Sequence, residues 1–252
     1  MHRRSFVRAL GLAAGAALVV PFPARGVHAA APTQVQWRSP LLRDHALVGR
    51  VWDATSQRYA SFDAVIECLQ RADFRLVGEV HDNADHHAIQ AKLLEALGAT
   101  RKPLVAFEQF DRELDGALQA RMARTNATAA DVADAVKFDR KGWNWDFYEP
   151  LVAIALRNGM RLRAANLSRA AAARIAKQGA AALEPALAAI LSDERGWGAE
   201  REQALRDIIR EGHCGALPES AVPRMATAQR ARDATLAQSL LDAGRDGAVL
   251  IA

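Results

Sequence analysis

Two carboxylates and an imidazole follow directly after two apolar runs of the chain. Glu79 and His81 come after residues 74–78, and Glu108 comes after residues 103–107. Side chains of this kind are costly to bury together unless they hold a metal ion, a proton or a polar ligand. They could bind a divalent metal ion, or one of them could act as general base on a water molecule. Glu79, His81 and Glu108 are therefore candidate catalytic and metal-binding residues.

The elements that must position these residues have the pattern of strands alternating with helices. Apolar runs without polar alternation predict strands buried on both faces of a sheet, at residues 74–78, 103–107, 161–165 and 248–251. Helical patterns lie between them, at residues 84–97, 111–124, 146–157 and 224–243. This alternation predicts βαβ units and a mostly parallel sheet.

Two further regions complete the expected domain. A strand over residues 46–52 and a helix capped by Ser61 precede the first buried strand. The Ala-rich residues 168–222 are helical in pattern and too long for a simple crossover, which predicts an inserted helical lid. We expect one α/β domain over residues 30–252, with a mostly parallel sheet flanked by helices.

The carboxyl ends of parallel strands meet at one edge of a sheet, where ligands bind in open α/β folds. The three candidate residues fall at this edge, and Asn166 follows the third buried strand there. The next helix begins at the same edge. Its spacing from His86 to Ile89 and Leu93 predicts that His86 faces the sheet, whereas His87 is expected to face solvent.

Aromatic and basic residues are predicted to border the same edge. Trp143, Trp145 and Tyr148 lie at the start of the helix before the third strand, and Met225 and Arg232 share one stripe of the last helix. Each has a structural alternative. The tryptophans could pack the rim of the fold, and Arg232 could form a surface ion pair with its acidic neighbour.

The loop with His213 and Cys214 is a second unusual feature. A His beside a Cys can ligate iron or zinc, but two adjacent ligands match no recognised zinc spacing, and a structural turn is the alternative. The spacing of Cys68 and Cys214 does not decide whether they pair. The chain has no Cys-x-x-Cys-His, Gly-rich phosphate loop or Gly-x-Ser-x-Gly motif, which disfavours c-type haem, P-loop chemistry and the usual serine hydrolases.

The first 29 residues predict an export signal. Arg3 and Arg4 precede an apolar run over residues 9–20, and small residues close the segment near Ala29. The paired arginines and the Ala-rich run resemble a twin-arginine signal, with an ordinary secretory signal as the alternative. The run is too short to span a membrane. We expect a soluble periplasmic protein without a lipidated cysteine.

The charge of the chain is concentrated in this segment. The net charge is +4, and residues 1–29 contain four arginines and no acid, so 29 basic and 29 acidic residues remain in the rest. Binding to nucleic acid or to an acidic membrane requires a stripe of uncompensated Lys and Arg. Neither is expected as a partner.

Several of these segments together match one family pattern. The matching positions are residues 76–83 with His86, His87 and Gln90, residues 107–112, Trp143, Trp145, Tyr148 and Pro150, residues 164–167 and 213–218, and Met225, Gln229, Arg232 and Asp233. Over about residues 46–252, the chain resembles the ChaN-like haem-binding proteins of the Tiki and erythromycin-esterase superfamily.

The resemblance implies an envelope protein of iron and haem uptake that holds haem noncovalently at the carboxyl edge of the sheet. It further implies a phenolate ligand to the iron, a homodimer with stacked haems and an outer-membrane haem receptor system as partner. Tyr148, in a matched segment, is favoured as the ligand over Tyr59. The other cofactor-binding candidates are His86, Trp143, Trp145, His213 and Met225, with Arg112 and Arg232 as partners of the propionates.

The chain departs from the family in two respects. It has no lipidated cysteine, and it stops after residues 248–251, where relatives continue into a Gly-Asn-Gly-His loop. We therefore expect a fragment or a shortened gene product. A metal-dependent hydrolase using Glu79, His81 and Glu108 is the alternative function, and a nonfunctional truncated relative is a third. The sequence alone does not decide whether the protein is an enzyme.

Overall fold

The computed structural model describes residues 37–193, 196–241 and 243–252. The export signal predicted over residues 1–29 lies outside this part of the chain. The first strands form a hairpin in which β1 (Val51–Asp53) pairs antiparallel with β2 (Arg58–Ala60). The strand predicted over residues 46–52 is therefore wrong for most of its length, because residues 46–49 form turns.

The remaining strands form one parallel sheet. They are β3 (Phe74–Val77), β4 (Leu104–Asp111), β5 (Arg161–Asn166) and β6 (Ala248–Ile251), in the order β3-β6-β4-β5. The pairings β3–β6, β6–β4 and β4–β5 are all parallel. The predicted α/β fold with a parallel sheet is confirmed.

Helices connect the strands and cover both faces of the sheet. In chain order they are α1 (Phe62–Arg71), α2 (Ala84–Gly98), α3 (Asp115–Met122), α4 (Ala129–Ala135), α5 (Trp145–Arg157), α6 (Arg169–Gln178), α7 (Pro185–Leu191), α8 (Ala199–Gly212) and α9 (Val222–Ser239). Ser61 caps α1 through its side chain, as predicted.

Alternation along the strands divides the core between the two faces. Val105 and Phe107 belong to a large cluster with residues of α2 and α5, and all of these residues are buried. Leu104 and Ala106 contribute to a smaller cluster on the opposite face, with Leu240 just after α9. Burial on both faces explains why these strands are continuous apolar runs.

Residues 168–222 form helices that pack on α9 rather than on the sheet. Ile175 of α6 and Leu187 of α7 share a buried cluster with Ala228 and Ala231. Leu205 and Ile209 of α8 form another cluster with Ala226. The N-terminal half of α9 therefore carries these helices, and its C-terminal half, where the Ser239 hydroxyl donates to the Ala165 carbonyl, lies on the sheet.

Two elements differ from the expectations. The helix predicted over residues 111–124 begins only at Asp115, because β4 continues through the polar residues that were expected to form a loop. Helix α4 was not anticipated, although the reciprocal contacts of Thr128 and Asp131 form a capping box at its start. In the part of the chain that the structure describes, no helix is both long and apolar enough to cross a membrane.

Candidate functional site

Glu79 lies just beyond β3 at the centre of a buried polar network. Its side chain is fully inaccessible to solvent. One carboxylate oxygen, Oε1, accepts a hydrogen bond of 2.5 Å from the Tyr148 hydroxyl and lies 3.0 Å from Nδ1 of His81. The other, Oε2, lies 3.2 Å from Nδ1 of His87. These three partners compensate the loss of hydration that a buried carboxylate suffers.

His87 is the second buried partner of Glu79. Its Nδ1 lies 3.2 Å from Oε2 of Glu79 and 3.2 Å from Oε1 of Gln90, and its Nε2 lies 3.0 Å from the backbone carbonyl of His81. Each of these neighbours is an acceptor atom. Phe147 stacks on the ring at 4.6 Å between centroids, which closes the network to water.

The inward-facing histidine of α2 is therefore His87 and not His86. The buried stripe runs through His87, Gln90, Leu94 and Leu97, one residue out of phase with the stripe expected from His86. His86 is half-buried, and its Nδ1 accepts a hydrogen bond of 2.8 Å from the backbone N–H of Val80. The prediction was wrong because Leu94 and Leu97 later in α2 fix the face that packs on the sheet, and His87 lies on that face.

Tyr148 lies inside the protein and not at the mouth of the site. It occupies the first turn of α5 and is fully buried, with its hydroxyl directed to Glu79. Burial, followed by the hydrogen bond and the charge of Glu79, raises the pKa of the phenol well above its ordinary value. In this arrangement the phenol is held neutral as a hydrogen-bond donor.

His81 presents the accessible nitrogen of the network. More than half of its side chain (57 %) is exposed, and its ring packs edge-on against Trp143 at 4.6 Å. Nδ1 faces Glu79, while Nε2 makes no hydrogen bond or ion pair in the described structure. A ligating histidine in metalloproteins characteristically donates its other N–H to a carboxylate, which orients the ring and raises its basicity. His81 has this arrangement.

Trp143 also forms one wall of a cleft beyond the ends of β4 and β5. Between the paired positions Phe107–Ala164 and Asp111–Asn166, three residues of β4 stand opposite a single residue of β5. This bulge directs Glu108 and Gln109 into the cleft. Bulges of this kind commonly re-aim side chains next to functional sites.

Two buried amides line the cleft. Gln109 is 5 % exposed, and its side-chain hydrogen bond to Tyr148 opposes the rise of the phenol pKa; Asn166 is 6 % exposed and its Oδ1 is unpaired. An unpaired buried group carries a desolvation cost of about 1–3 kcal/mol unless a ligand or water satisfies it. The cleft holds about 110 Å³, well below the roughly 300–1,000 Å³ of pockets that enclose a drug-sized ligand.

Charged side chains surround these amides in equal numbers of each sign. Lys137, Arg169 and Arg232 are the cations, and Glu108, Asp111 and Asp139 are the acids. Arg232 lies 3.9 Å from Glu108 and Arg169 lies 3.9 Å from Asp139, so both ion pairs are loose. Burial is the largest cause that raises the pKa values of Glu108 and Asp111 above their ordinary range.

Other predicted residues lie away from both groups. Arg112 donates to the Thr235 carbonyl and to Oε1 of Gln238 on α9, so it ties two elements together. Trp145 packs edge-on against Phe138. The structure thus gives these two residues contacts within the protein and places neither in the cleft.

The predicted His213 and Met225 lie among the helices that follow β5. Met225 packs against the α8–α9 cluster with Trp197, and Nδ1 of His213 lies 2.7 Å from the carbonyl of Ile209. Cys68 and Cys214 are both free thiols. The His213–Cys214 pair therefore forms the end of α8, and Met225 forms part of a hydrophobic contact.

Metal binding by the three initial candidates has no support in the geometry. Among the described residues, no group of three or more His, Cys, Asp and Glu side chains is arranged to hold a metal ion. Glu79 and His81 contact each other, while Glu108 lines the neighbouring cleft and forms a loose ion pair with Arg232. Gln109 is the residue that sequence reasoning missed, and its position in a matched segment was the available signal.

One family model matches residues 65–252, about three quarters of the chain. It describes ChaN proteins of haem binding and uptake in the Tiki superfamily. The chain belongs to this ChaN family. Its fold is similar to the structure of ChaN of Campylobacter jejuni, described with cofacial haem binding, with a TM-score of 0.66 and 24 % identity. That match covers 81 % of this chain and 78 % of the other. No curated protein matches the chain significantly.

The residues at the carboxyl edge fit a haem in two respects. His81 offers an accessible imidazole nitrogen of the kind that ligates haem iron, and Arg169 and Arg232, whose acidic partners lie at 3.9 Å, are cations of the kind that pair with carboxylates. The cleft is too small to enclose a porphyrin.

Proposed function

We propose that this protein binds haem noncovalently at the carboxyl edge of the sheet and serves haem uptake in the cell envelope. The observation that carries the proposal is His81, whose exposed ring is oriented by a buried carboxylate and packs edge-on against the half-buried Trp143. The family assignment and the ChaN-like fold support the same ligand. Export through the twin-arginine route and a homodimer remain part of this proposal.

The protein residues have distinct tasks in this proposal. His81 Nε2 would hold the iron, Glu79 orients the His81 ring through Nδ1, and Tyr148 and His87 hold Glu79. Trp143 would offer an aromatic surface to the macrocycle. When bound, haem would supply an iron that accepts an imidazole ligand. Tyr148, the ligand expected from the family resemblance, would first have to leave Glu79 and reach the surface.

A hemin titration of the mature protein tests the function. Binding at His81 predicts a shifted and sharpened Soret band that saturates at one haem per chain. His81→Ala is expected to abolish this shift. Because it also removes one of the contacts of the buried Glu79 carboxylate, it should lower the free energy of unfolding by about 1 kcal/mol.

Tyr148→Phe separates the two ligand assignments. It is expected to keep the Soret position, since the phenol acts only through Glu79. A wild-type protein without any Soret shift would refute the haem-binding function. A shift that survives in His81→Ala and disappears in Tyr148→Phe would refute His81 and restore Tyr148 as the ligand. Elemental analysis of the same preparation tests the alternative of a metal-dependent hydrolase.

A further inference from the structure

The proposed haem site offers little apolar surface around the iron ligand. His81 packs on Trp143, and the cleft next to this pair is lined mainly by polar and charged side chains. Sites for organic ligands are usually lined by hydrophobic and aromatic side chains, with only a few polar groups among them. A haem at His81 would therefore leave much of its macrocycle in water unless another part of the chain covered it.

Exposed apolar side chains are concentrated in the early part of the described chain. Leu41, Leu42 and Leu47 are 75 %, 77 % and 55 % exposed, and Val80 is 55 % exposed. Among the described residues, Ile208 is the one exposed large hydrophobic side chain that lies outside residues 41–80. Grouped apolar side chains on a protein surface commonly mark a site of interaction.

The three leucines belong to a loop of residues 37–49 whose ends meet. The ring of Trp37 lies over Gly49, where an added Cβ atom would come within 3.1 Å of it. Inside the loop, the backbone N–H of His45 donates to the carbonyl of Leu42. Compact surface loops with adjacent ends frequently have a function. This loop has a defined shape, and its leucines face solvent.

The loop is attached to the first turn of α2. The Asp85 carboxylate, in that turn and 7 % exposed, accepts hydrogen bonds of 2.8 and 2.9 Å from the backbone N–H groups of Arg38 and Ser39. Leu42 lies three residues beyond Ser39, which is at most about 11 Å of chain. The first two leucines are therefore held near this end of α2.

The segment that carries His81 is attached to the same turn of α2. Nδ1 of His86 accepts a hydrogen bond of 2.8 Å from the backbone N–H of Val80, and Nε2 of His87 lies 3.0 Å from the His81 carbonyl. Asp85, which holds the loop, directly precedes these two histidines. The loop, the exposed Val80 and the ring of His81 are thus grouped around one helix end.

We propose that residues 41–47 form an apolar cover for the haem site, in which Leu41 and Leu42 pack on the macrocycle of a haem held by His81. The inference rests on the proposed function and adds the surface that removes the macrocycle from water. Both the leucines and the free ligand expose apolar area, and burying these areas against each other favours binding.

The double variant Leu41→Ser/Leu42→Ser tests the cover. Both side chains are exposed in the free protein, so the variant should unfold at the same urea concentration as wild type. Its affinity for hemin in a Soret titration should fall at least about ten-fold, because the two leucines no longer gain burial. Ile208→Ser, which removes a similarly exposed apolar side chain from α8, is the matched control and should leave the affinity unchanged.

Limited proteolysis with trypsin locates the contact independently of affinity. Hemin should slow cleavage after Arg43, inside the loop, in the mature wild-type protein. The bond after Arg124 follows the end of α3, which runs away from the carboxyl edge, and should be cut at the same rate with and without hemin. In Leu41→Ser/Leu42→Ser saturated with hemin, the protection after Arg43 should be lost.

The outcomes separate the cover from the function. A Soret shift in wild type with unchanged cleavage after Arg43, or with affinity retained in the double variant, would overturn the cover while the haem function stands. If wild type shows no Soret shift, the haem function fails and the cover fails with it. Protection after Arg43 that rises with protein concentration in the absence of hemin would assign the leucines to contact with a second copy of the chain, which would also overturn the cover.

Discussion

The Glu79 network and the cleft are neighbours, and they differ in how closely their polar groups are paired. Oε1 of Glu79 accepts a hydrogen bond of 2.5 Å from Tyr148, and Oε2 lies 3.2 Å from Nδ1 of His87. In the cleft, the Arg232–Glu108 and Arg169–Asp139 pairs are 3.9 Å apart, and Oδ1 of the buried Asn166 has no partner. Closely paired buried groups stabilise a fold more than loosely paired ones do.

Burial of polar residues at one sheet edge, as in the Glu79 network, therefore does not by itself identify a ligand site. Substitutions in the network should act mainly on stability, and substitutions in the cleft mainly on binding. His81 belongs to both groups, because it contacts Glu79 through one nitrogen and leaves the other exposed.

The largest loss of stability is expected from Glu79→Ala. A small loss would contradict the difference drawn between the Glu79 network and the cleft. The change removes the shared partner of the Tyr148 hydroxyl and the His87 ring, and both remain buried. Breaking a buried charged group in this way costs about 3–5 kcal/mol in the free energy of unfolding, measured by urea denaturation. Glu79→Gln is the control and should lose less, since it keeps the shape and one acceptor. A loss below about 1 kcal/mol for Glu79→Ala would show that the network does not stabilise the fold.

An intermediate effect is expected from Tyr148→Phe. The variant keeps the ring and removes one hydrogen bond to a charged acceptor, which is worth about 1.5–3 kcal/mol. Urea denaturation measures the loss. Tyr59→Phe, on the exposed β2 strand, is the matched control and should be neutral. If both variants were neutral, the hydrogen bond to Glu79 would contribute nothing to stability.

The smallest change in stability is expected from Glu108→Gln. Its dependence on pH tests whether the buried Glu108 in the cleft has a raised pKa. Burial raises the pKa of Glu108 in the folded state, so the folded protein holds this proton more tightly than the unfolded chain. Stability contributed by this group is therefore lost as the pH rises from the unfolded pKa through the folded pKa.

Glu108→Gln should remove that loss, so that the variant gains stability relative to wild type as the pH rises from 4 to 7. Thermal midpoints across this range, with the distant Glu95→Gln as control, measure it. If the variant instead gained stability relative to wild type as the pH fell, the pKa of Glu108 would be lowered and not raised in the folded protein.

The sequence predicted the sheet well because burial on both faces leaves a simple signal. The predicted bounds of β3, β5 and β6 agree with the strands to within one residue. Only β6 is apolar throughout, since Arg75 interrupts β3 and Arg161 and Arg163 interrupt β5. The predicted β4 was too short because its last residues are polar. From the sequence alone, a strand that ends in Glu108 and Gln109 cannot be distinguished from a loop, since the bulge at these residues depends on the pairing of β4 with β5.

The site was predictable in its position and not in its contacts. Residues after β3, β4 and β5 do meet at one edge, as the parallel sheet requires. The choice between His86 and His87 depended on a rotation of α2 by one residue, which is set by packing of Leu94 and Leu97 and not by the local pattern. The burial of Tyr148 behind Trp143 likewise follows from how α5 docks on α2.

The placement of β6 has a consequence for the order in which the protein folds. Phe74 of β3 and Leu104 of β4 both pair with Ala248 of β6, so β6 lies between these two strands. Ala248 follows Leu104 by more than 140 residues in the chain. A nascent polypeptide on the ribosome cannot complete this sheet until residues 248–251 have emerged. Pairings of such long range slow folding and leave strand edges exposed meanwhile. The β4–β5 pair does not need β6, so early folding should include this pair and its connecting helices, with closure of the full sheet as a later step.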